Sequence, residues 1–173
     1  GANVIAIFDK DFATNSTIYA GSSLNTSGIK RATGTATTSS WKQLDDDANS
    51  LIVNGLALSA DGTLYAASGT ASKGIRRSLD PTTAVTTVAP TTAPTFESIT
   101  GTKGVVNTTN YHDHKLTGAT QSPNAVLTNL TLVPGSNTLY VIDTGYTEPT
   151  AAASQYGYTG RLLGIKDTLT GSP

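Results

Sequence analysis

Two short patterns recur along this 173-residue chain, their first two copies at one shared interval, and that recurrence narrows the folds open to it more than any other feature. The first is Thr-aliphatic-Tyr: Thr17-Ile18-Tyr19-Ala20-Gly21, then Thr63-Leu64-Tyr65-Ala66-Ala67, then Thr138-Leu139-Tyr140-Val141-Ile142. The second is Gly-Ile followed by polar residues: Gly28-Ile29-Lys30-Arg31, Gly74-Ile75-Arg76-Arg77 and Gly164-Ile165-Lys166-Asp167. Tyr19 and Tyr65 lie 46 residues apart, and so do Ile29 and Ile75. Two independent markers therefore keep one register, which identifies a structural repeat.

Each unit carries the parts of a small antiparallel sheet. Apolar segments (Val4-Ile5-Ala6-Ile7-Phe8, Gly55-Leu56-Ala57-Leu58, Leu130-Thr131-Leu132) precede the Thr-aliphatic-Tyr runs, with polar turns such as Ser59-Ala60-Asp61-Gly62 and Pro134-Gly135-Ser136-Asn137 between them. A nearly all-apolar first strand predicts an inner strand packed on both faces, and the alternation of Ile with Lys or Arg predicts a third strand near the solvent edge. Trp41-Lys42-Gln43-Leu44 and Phe96-Glu97-Ser98-Ile99 supply fourth strands. The interval falls in the range of about 40–50 residues occupied by one four-stranded propeller blade. The expected fold is all-β: blades of a β-propeller, three of them recognisable, with a degenerate fourth or the remainder of a larger ring to complete the arc.

The chain then reads as a single propeller module or fragment, with units near 3–47, 51–100 and 126–173 and an insertion over 101–125. Tyr65 and Tyr140 are 75 residues apart, 29 more than the repeat, an excess placed in the insertion together with the Pro-rich stretch that precedes it. A second long stretch, 144–160, separates the second and third strands of the last unit. Propellers close with roughly 4–8 blades, so partners are expected to be other copies of the chain or the rest of a longer parent. An opening of Gly1-Ala2-Asn3 directly before an apolar strand agrees with a fragment.

Composition narrows the function. Basic residues number 11 against 12 acidic ones and are scattered, which argues against a nucleic-acid surface. No apolar run approaches the ~18 residues of a membrane helix. The absence of cysteine removes disulfides, thiol nucleophiles and thiolate metal sites. Thr and Ser supply 31 and 16 residues, a mixture that favours short strands and polar loops and is typical of exported, surface-exposed proteins. Asn15, Asn25, Asn107 and Asn129 open Asn-x-Ser/Thr sequons and are candidate glycosylation sites.

The run Phe8-Asp9-Lys10-Asp11-Phe12-Ala13-Thr14-Asn15-Ser16-Thr17-Ile18-Tyr19-Ala20-Gly21, with Gly28-Ile29-Lys30-Arg31 and Trp41-Lys42-Gln43-Leu44, resembles the repeat of sialidase-like (BNR, or Asp-box) β-propellers. Those are found in large secreted or cell-surface prokaryotic proteins. The resemblance covers about three blades and implies a fold and an extracellular or cell-surface location. It carries no activity over. The Ser-x-Asp-x-Gly-x-x-Trp box is reduced here to Trp41, and the chain's arginines (Arg31, Arg76, Arg77, Arg161) and two glutamates (Glu97, Glu148) do not match a sialidase's catalytic set.

The remaining chemistry is sparse. His112 and His114 share one face of an extended segment and make a weak metal pair. Asp9 and Asp11, with Asn15, outline an oxygen-rich turn that calcium would suit, although such aspartates commonly bind their own backbone. Trp41, Tyr146, Tyr156 and Tyr158 are candidate ligand contacts, because aromatic faces stack on sugars and give amphipathic area. No phosphate-cradling glycine loop or Gly-x-Ser-x-Gly elbow occurs. The chain is therefore expected to be a non-enzymatic extracellular structural or adhesive module, such as a surface-layer or cell-wall component. The alternative is a carbohydrate-binding or glycoside-hydrolase-like propeller that contacts cell-surface polysaccharide. Neither reading requires a cofactor, calcium being the one ion the turns would suit.

Overall fold

A computed structural model describes residues 3–24, 28–34, 41–44, 51–69, 74–83, 96–99, 111–113, 126–147, 159–167 and 169. Among these residues the fold is all-β apart from one helical turn, and the strands form three four-stranded antiparallel sheets. The first holds β1 (Val4–Phe8), β2 (Thr17–Ser22), β3 (Ile29–Thr33) and β4 (Lys42–Gln43), with α1 (Phe12–Asn15) between β1 and β2. The second holds β5 (Val53–Leu58), β6 (Leu64–Ser68), β7 (Ile75–Ser78) and β8 (Glu97–Ser98). The third runs in the order β10 (Leu127–Leu132), β11 (Thr138–Thr147), β12 (Thr159–Lys166) and β9 (Tyr111–Asp113). Among the described residues no helix is long and apolar enough to cross a membrane.

The repeat is visible as register. Tyr19 lies opposite Ile7 and Arg31, and Tyr65 opposite Ala57 and Arg77, so the 46-residue interval maps one sheet onto the next. The third unit departs from the expected alignment. Tyr140 lies opposite Gly164, which makes Gly164 the counterpart of Arg77 and Asp167 the counterpart of Asp80, three residues from where the Gly-Ile match places them. Burial decides the register here: Leu139 pairs with Ile165 and Val141 with Leu163, putting four apolar side chains on the packed face. The long connection between β11 and β12 frees the third strand from the repeat's spacing. Part of that connection is itself sheet, since Thr147 pairs with Thr159.

Three residues of the insertion are sheet. Its residues Tyr111–Asp113 pair with Leu163, Gly164 and Ile165, so the third sheet takes its fourth strand from upstream in the chain. That strand covers the edge that β12 would otherwise present.

The sheets stack in chain order through two cores. β-Strand alternation sends successive side chains to opposite faces. Along β6, Leu64 and Ala66 enter a core shared with Tyr19, Ile29 and Leu44 of the first sheet, while Tyr65 and Ala67 enter one shared with Leu127, Leu139, Val141 and Leu163 of the third. The second sheet is therefore packed on both faces, as an apolar first strand implies. β1 is not: Ile5 and Ile7 face the core, but Val4 and Phe8 are 72% and 63% exposed. Glycines permit the closest approaches. A Cβ on Gly55 would sit 2.7 Å from Cβ and 2.8 Å from the backbone nitrogen of Leu130, and one on Gly21 would overlap Val53.

The third strands correct one expectation. The second basic residue of each pair is buried, not solvent-facing: Arg31 and Arg77 lie inside, whereas Lys30 is exposed. Each crosses to the next sheet. Arg31 Nη1 donates to the Pro81 carbonyl at 2.5 Å, just after β7, and Arg77 Nη1 donates to Asp167 Oδ1 at 2.5 Å, just after β12.

Candidate functional site

Among the described residues four regions can do chemistry or make contacts, and the outer face of the first sheet is the most developed. Alternation along β1 and β2 puts Val4, Ala6, Phe8, Ile18 and Ala20 on the side away from the core. Phe8 packs against Phe12 of α1 with ring centroids 4.6 Å apart, and Phe12 is itself partly exposed. Trp41, half-buried just before β4, lines a hollow of about 350 Å³ on this face with Val4, Ala20, Gly21, Ser22, Gly28 and Lys30.

Repeat equivalence shows what this face is. Phe8, Ala6, Ile18, Ala20 and Trp41 correspond by strand register to Leu58, Leu56, Leu64, Ala66 and Phe96 of the second sheet. All five of those counterparts pack into the core between the first and second sheets. The exposed face thus repeats, position for position, a face that is covered one sheet further along.

A second, polar hollow of about 410 Å³ lies where the first strands of the three sheets meet, lined by Asn3, Val4, Ile5, Asn54, Thr128 and Asn129. Asn129 is exposed in a left-handed conformation (φ 54°) at an irregularity in β10. Its sequon asparagine therefore stands at the surface of this hollow.

The turn after β1 is held by its own aspartate. Asp9 Oδ1 accepts from the Asp11 N–H (2.9 Å) and Asn15 Nδ2 (2.7 Å), and Oδ2 accepts from the Tyr19 hydroxyl (2.8 Å). Asn15 Oδ1 in turn accepts from the Thr17 N–H, so this sequon side chain is used at both ends. Asp11 pairs with Lys10 at the surface. Burial by itself raises the Asp9 carboxyl, but the hydrogen bonds from Asn15, Asp11 and Tyr19, with Lys10 nearby, outweigh it and hold the group below the ordinary 3.8. Burial and the bond to Asp9 push the Tyr19 hydroxyl well above its ordinary 10.0.

A carboxyl held low in the folded state stabilises the fold above its unfolded pKa, and that contribution is lost as pH falls through the folded value. Asp9→Asn is accordingly expected to be less stable than the parent at neutral pH, with the gap closing as pH drops from about 4 downward. Urea midpoints measured across the acid range check this, and a gap that stays constant contradicts it.

The fourth region is a buried ion cluster between the second and third sheets. Arg77 donates from Nε to Glu97 Oε1 at 2.9 Å, pairs with the same carboxylate through Nη2, and reaches Asp167 through Nη1. Asp167 Oδ2 also accepts from the Tyr65 hydroxyl at 2.9 Å, and Asp167 Oδ1 from the Leu169 N–H at 3.1 Å. Burial opposes the Arg77 charge, but Asp167 and Glu97 more than offset it, raising the guanidinium pKa. Burial, then the bond to Asp167, raises Tyr65 far above 10.0. Every charged group here is engaged by its neighbours, so the cluster is a clasp between sheets.

The other sequence candidates lie in different strands or outside the described residues. His112 lies in β9 opposite Gly164, and His114 falls outside the described residues. Tyr146 lies within β11, while Tyr156, Tyr158, Asn25 and Asn107 are outside the described residues. Among the described residues no group of three or more His, Asp or Glu side chains gathers to hold a metal ion. Calcium at Asp9 would have to displace the three donors already on that carboxylate. Sequence reasoning singled out Trp41 but missed that Phe8 shares its face of the sheet, and missed Asp167 as the acceptor for Arg77. The first was recoverable from alternation along Val4–Phe8; the second depends on a partner 90 residues away in the chain.

No family model, curated protein or solved structure matches this chain.

Proposed function

We propose that this chain is a non-enzymatic module of an extracellular structural or adhesive assembly, built from consecutive blades of a β-propeller. The observation that carries this reading is the outer face of the first sheet, where Phe8, Ile18, Ala20 and Trp41 repeat Leu58, Leu64, Ala66 and Phe96, which pack into the core between the first and second sheets. An exposed apolar face of this extent is a contact surface or an aggregation hazard in any soluble protein. A face that copies an internal blade junction is suited to receive another blade. The repeat interval, the four-stranded antiparallel sheets and the adjacency of β1, β5 and β10 support the propeller form. The extracellular setting rests on the Thr- and Ser-rich composition and on the sialidase-like resemblance.

The rival reading is a carbohydrate-binding propeller, and the hollow beside Trp41 favours it: an aromatic face with Ser22 and Lys30 at its margin has the parts of a sugar platform. A glycan array separates the two. The structural reading expects no saturable glycan binding. Saturable binding that Trp41→Ala abolishes, in a variant with unchanged thermal stability, overturns it in favour of the rival.

A further inference from the structure

We infer that the partner for the exposed face is a second copy of this chain, docked head to tail, so that the outer face of the third sheet in one copy covers the outer face of the first sheet in the other. This rests on the propeller reading above and specifies which surfaces meet.

The argument comes from the two junctions already inside the molecule. Each is heterologous: a leading face of one sheet meets the opposite, trailing face of the next. The face that the first sheet turns to the second carries Ile7, Tyr19, Gly21 and Ile29, and the face that the second turns to the third carries Ala57, Tyr65, Ala67 and Ile75. The same positions in the third sheet are Thr131, Tyr140, Ile142 and Leu162. They keep the tyrosine and two large aliphatic side chains, yet Leu162 is 45% exposed and Tyr140 and Ile142 are only half-buried. The first sheet presents the complementary half, with Val4 and Phe8 largely exposed. One molecule therefore ends in the two unlike halves of a junction that it makes twice internally.

Two unlike faces on one chain make a heterologous contact, which closes into a ring or continues as a filament according to the rotation between copies. Two copies contribute three sheets each, and a ring of that size falls within the range of about 4–8 blades at which propellers close. A closed pair leaves neither face exposed. A head-to-head pair would cover the first-sheet faces and leave both third-sheet faces open.

Sedimentation equilibrium on the full chain tests this. The wild-type protein is expected to run at twice its 17.7 kDa mass. Phe8→Asp and Leu162→Asp, both at exposed positions and both checked for native circular dichroism, are each expected to weaken the pair more than tenfold. An equimolar mixture of the two variants regains association, because the unaltered face of one variant meets the unaltered face of the other. A wild-type chain that stays monomeric up to millimolar concentration overturns the inference. So does a Leu162→Asp protein that pairs as well as wild type while Phe8→Asp does not, which is the signature of head-to-head contact. Failure of the structural reading itself shows elsewhere, as saturable glycan binding lost with Trp41→Ala.

Discussion

Asp167→Ala is expected to cost this fold about 3–5 kcal/mol, the range found when one partner of a buried ion pair is removed. Asp167 is buried, and the two groups it serves are buried more completely: Arg77 and the Tyr65 hydroxyl both terminate on it. Its removal leaves the Tyr65 oxygen without its acceptor and the guanidinium with Glu97 alone, which is partly open to solvent. Total stability of a domain is commonly about 5–15 kcal/mol, so the loss amounts to a large part of it. Urea unfolding measures the change as a lower midpoint. A double replacement, Arg77→Met with Asp167→Leu, is expected to lose less than the sum of the single changes, because neither member of the buried pair is then left without the other and the one charge that remains, Glu97, is partly open to solvent. A stability loss of less than a few tenths of a kcal/mol for Asp167→Ala would show that the two sheets are not clasped here.

Gly55→Ala is expected to destabilise the protein by about 1–3 kcal/mol, the usual cost of overpacking, and to act specifically on the junction of the second and third sheets. The new methyl group meets the Cβ and backbone nitrogen of Leu130, neither of which a rotamer change can move. Trimming Leu130 to alanine keeps both atoms and so does not relieve the clash. The double variant Gly55→Ala/Leu130→Ala is thus at least as unstable as the two single effects combined. Amide exchange locates the damage: protection is expected to fall first in β5 and β10, with β2 and β3 less affected. Rescue of Gly55→Ala by Leu130→Ala would contradict the close backbone approach.

Local pattern made much of this architecture legible from sequence. The Thr-aliphatic-Tyr runs place β2, β6 and β11, and the short segments at Trp41–Leu44 and Phe96–Ile99 place β4 and β8, because burial on alternate faces leaves a two-residue period in the sequence. What the pattern could not supply was pairing at a distance. Asp167 reads as the tail of a third Gly-Ile motif until Tyr140 is seen opposite Gly164. Tyr111–Asp113 reads as insertion because nothing near it in sequence tells a strand that its partner is β12. The same limit applies to exposure. Val4–Phe8 and Gly55–Leu58 look alike as apolar strands, yet only the second is enclosed on both sides, and the difference lies in what stacks on them.

The burial of Arg31 and Arg77 was hidden for a related reason. A basic residue in alternation suggests a solvated face, and it becomes an interior residue only when an acceptor on the next sheet comes within reach. Pro81 and Asp167 are those acceptors, each just beyond the third strand of the following sheet. The arginine's crossing recurs at both junctions although the acceptors differ in kind and stand one position apart in the repeat.

Stacking of three sheets in chain order, each on the next through its first two strands, is the claim on which the rest depends. Nuclear Overhauser contacts in the wild-type protein test it most directly. Cross-peaks are expected between the Gly21 α-protons and the Val53 methyl groups, and between the Gly55 α-protons and the Leu130 amide, alongside the antiparallel contacts within each sheet. Intact contacts within the sheets, with both inter-sheet sets missing, would contradict it.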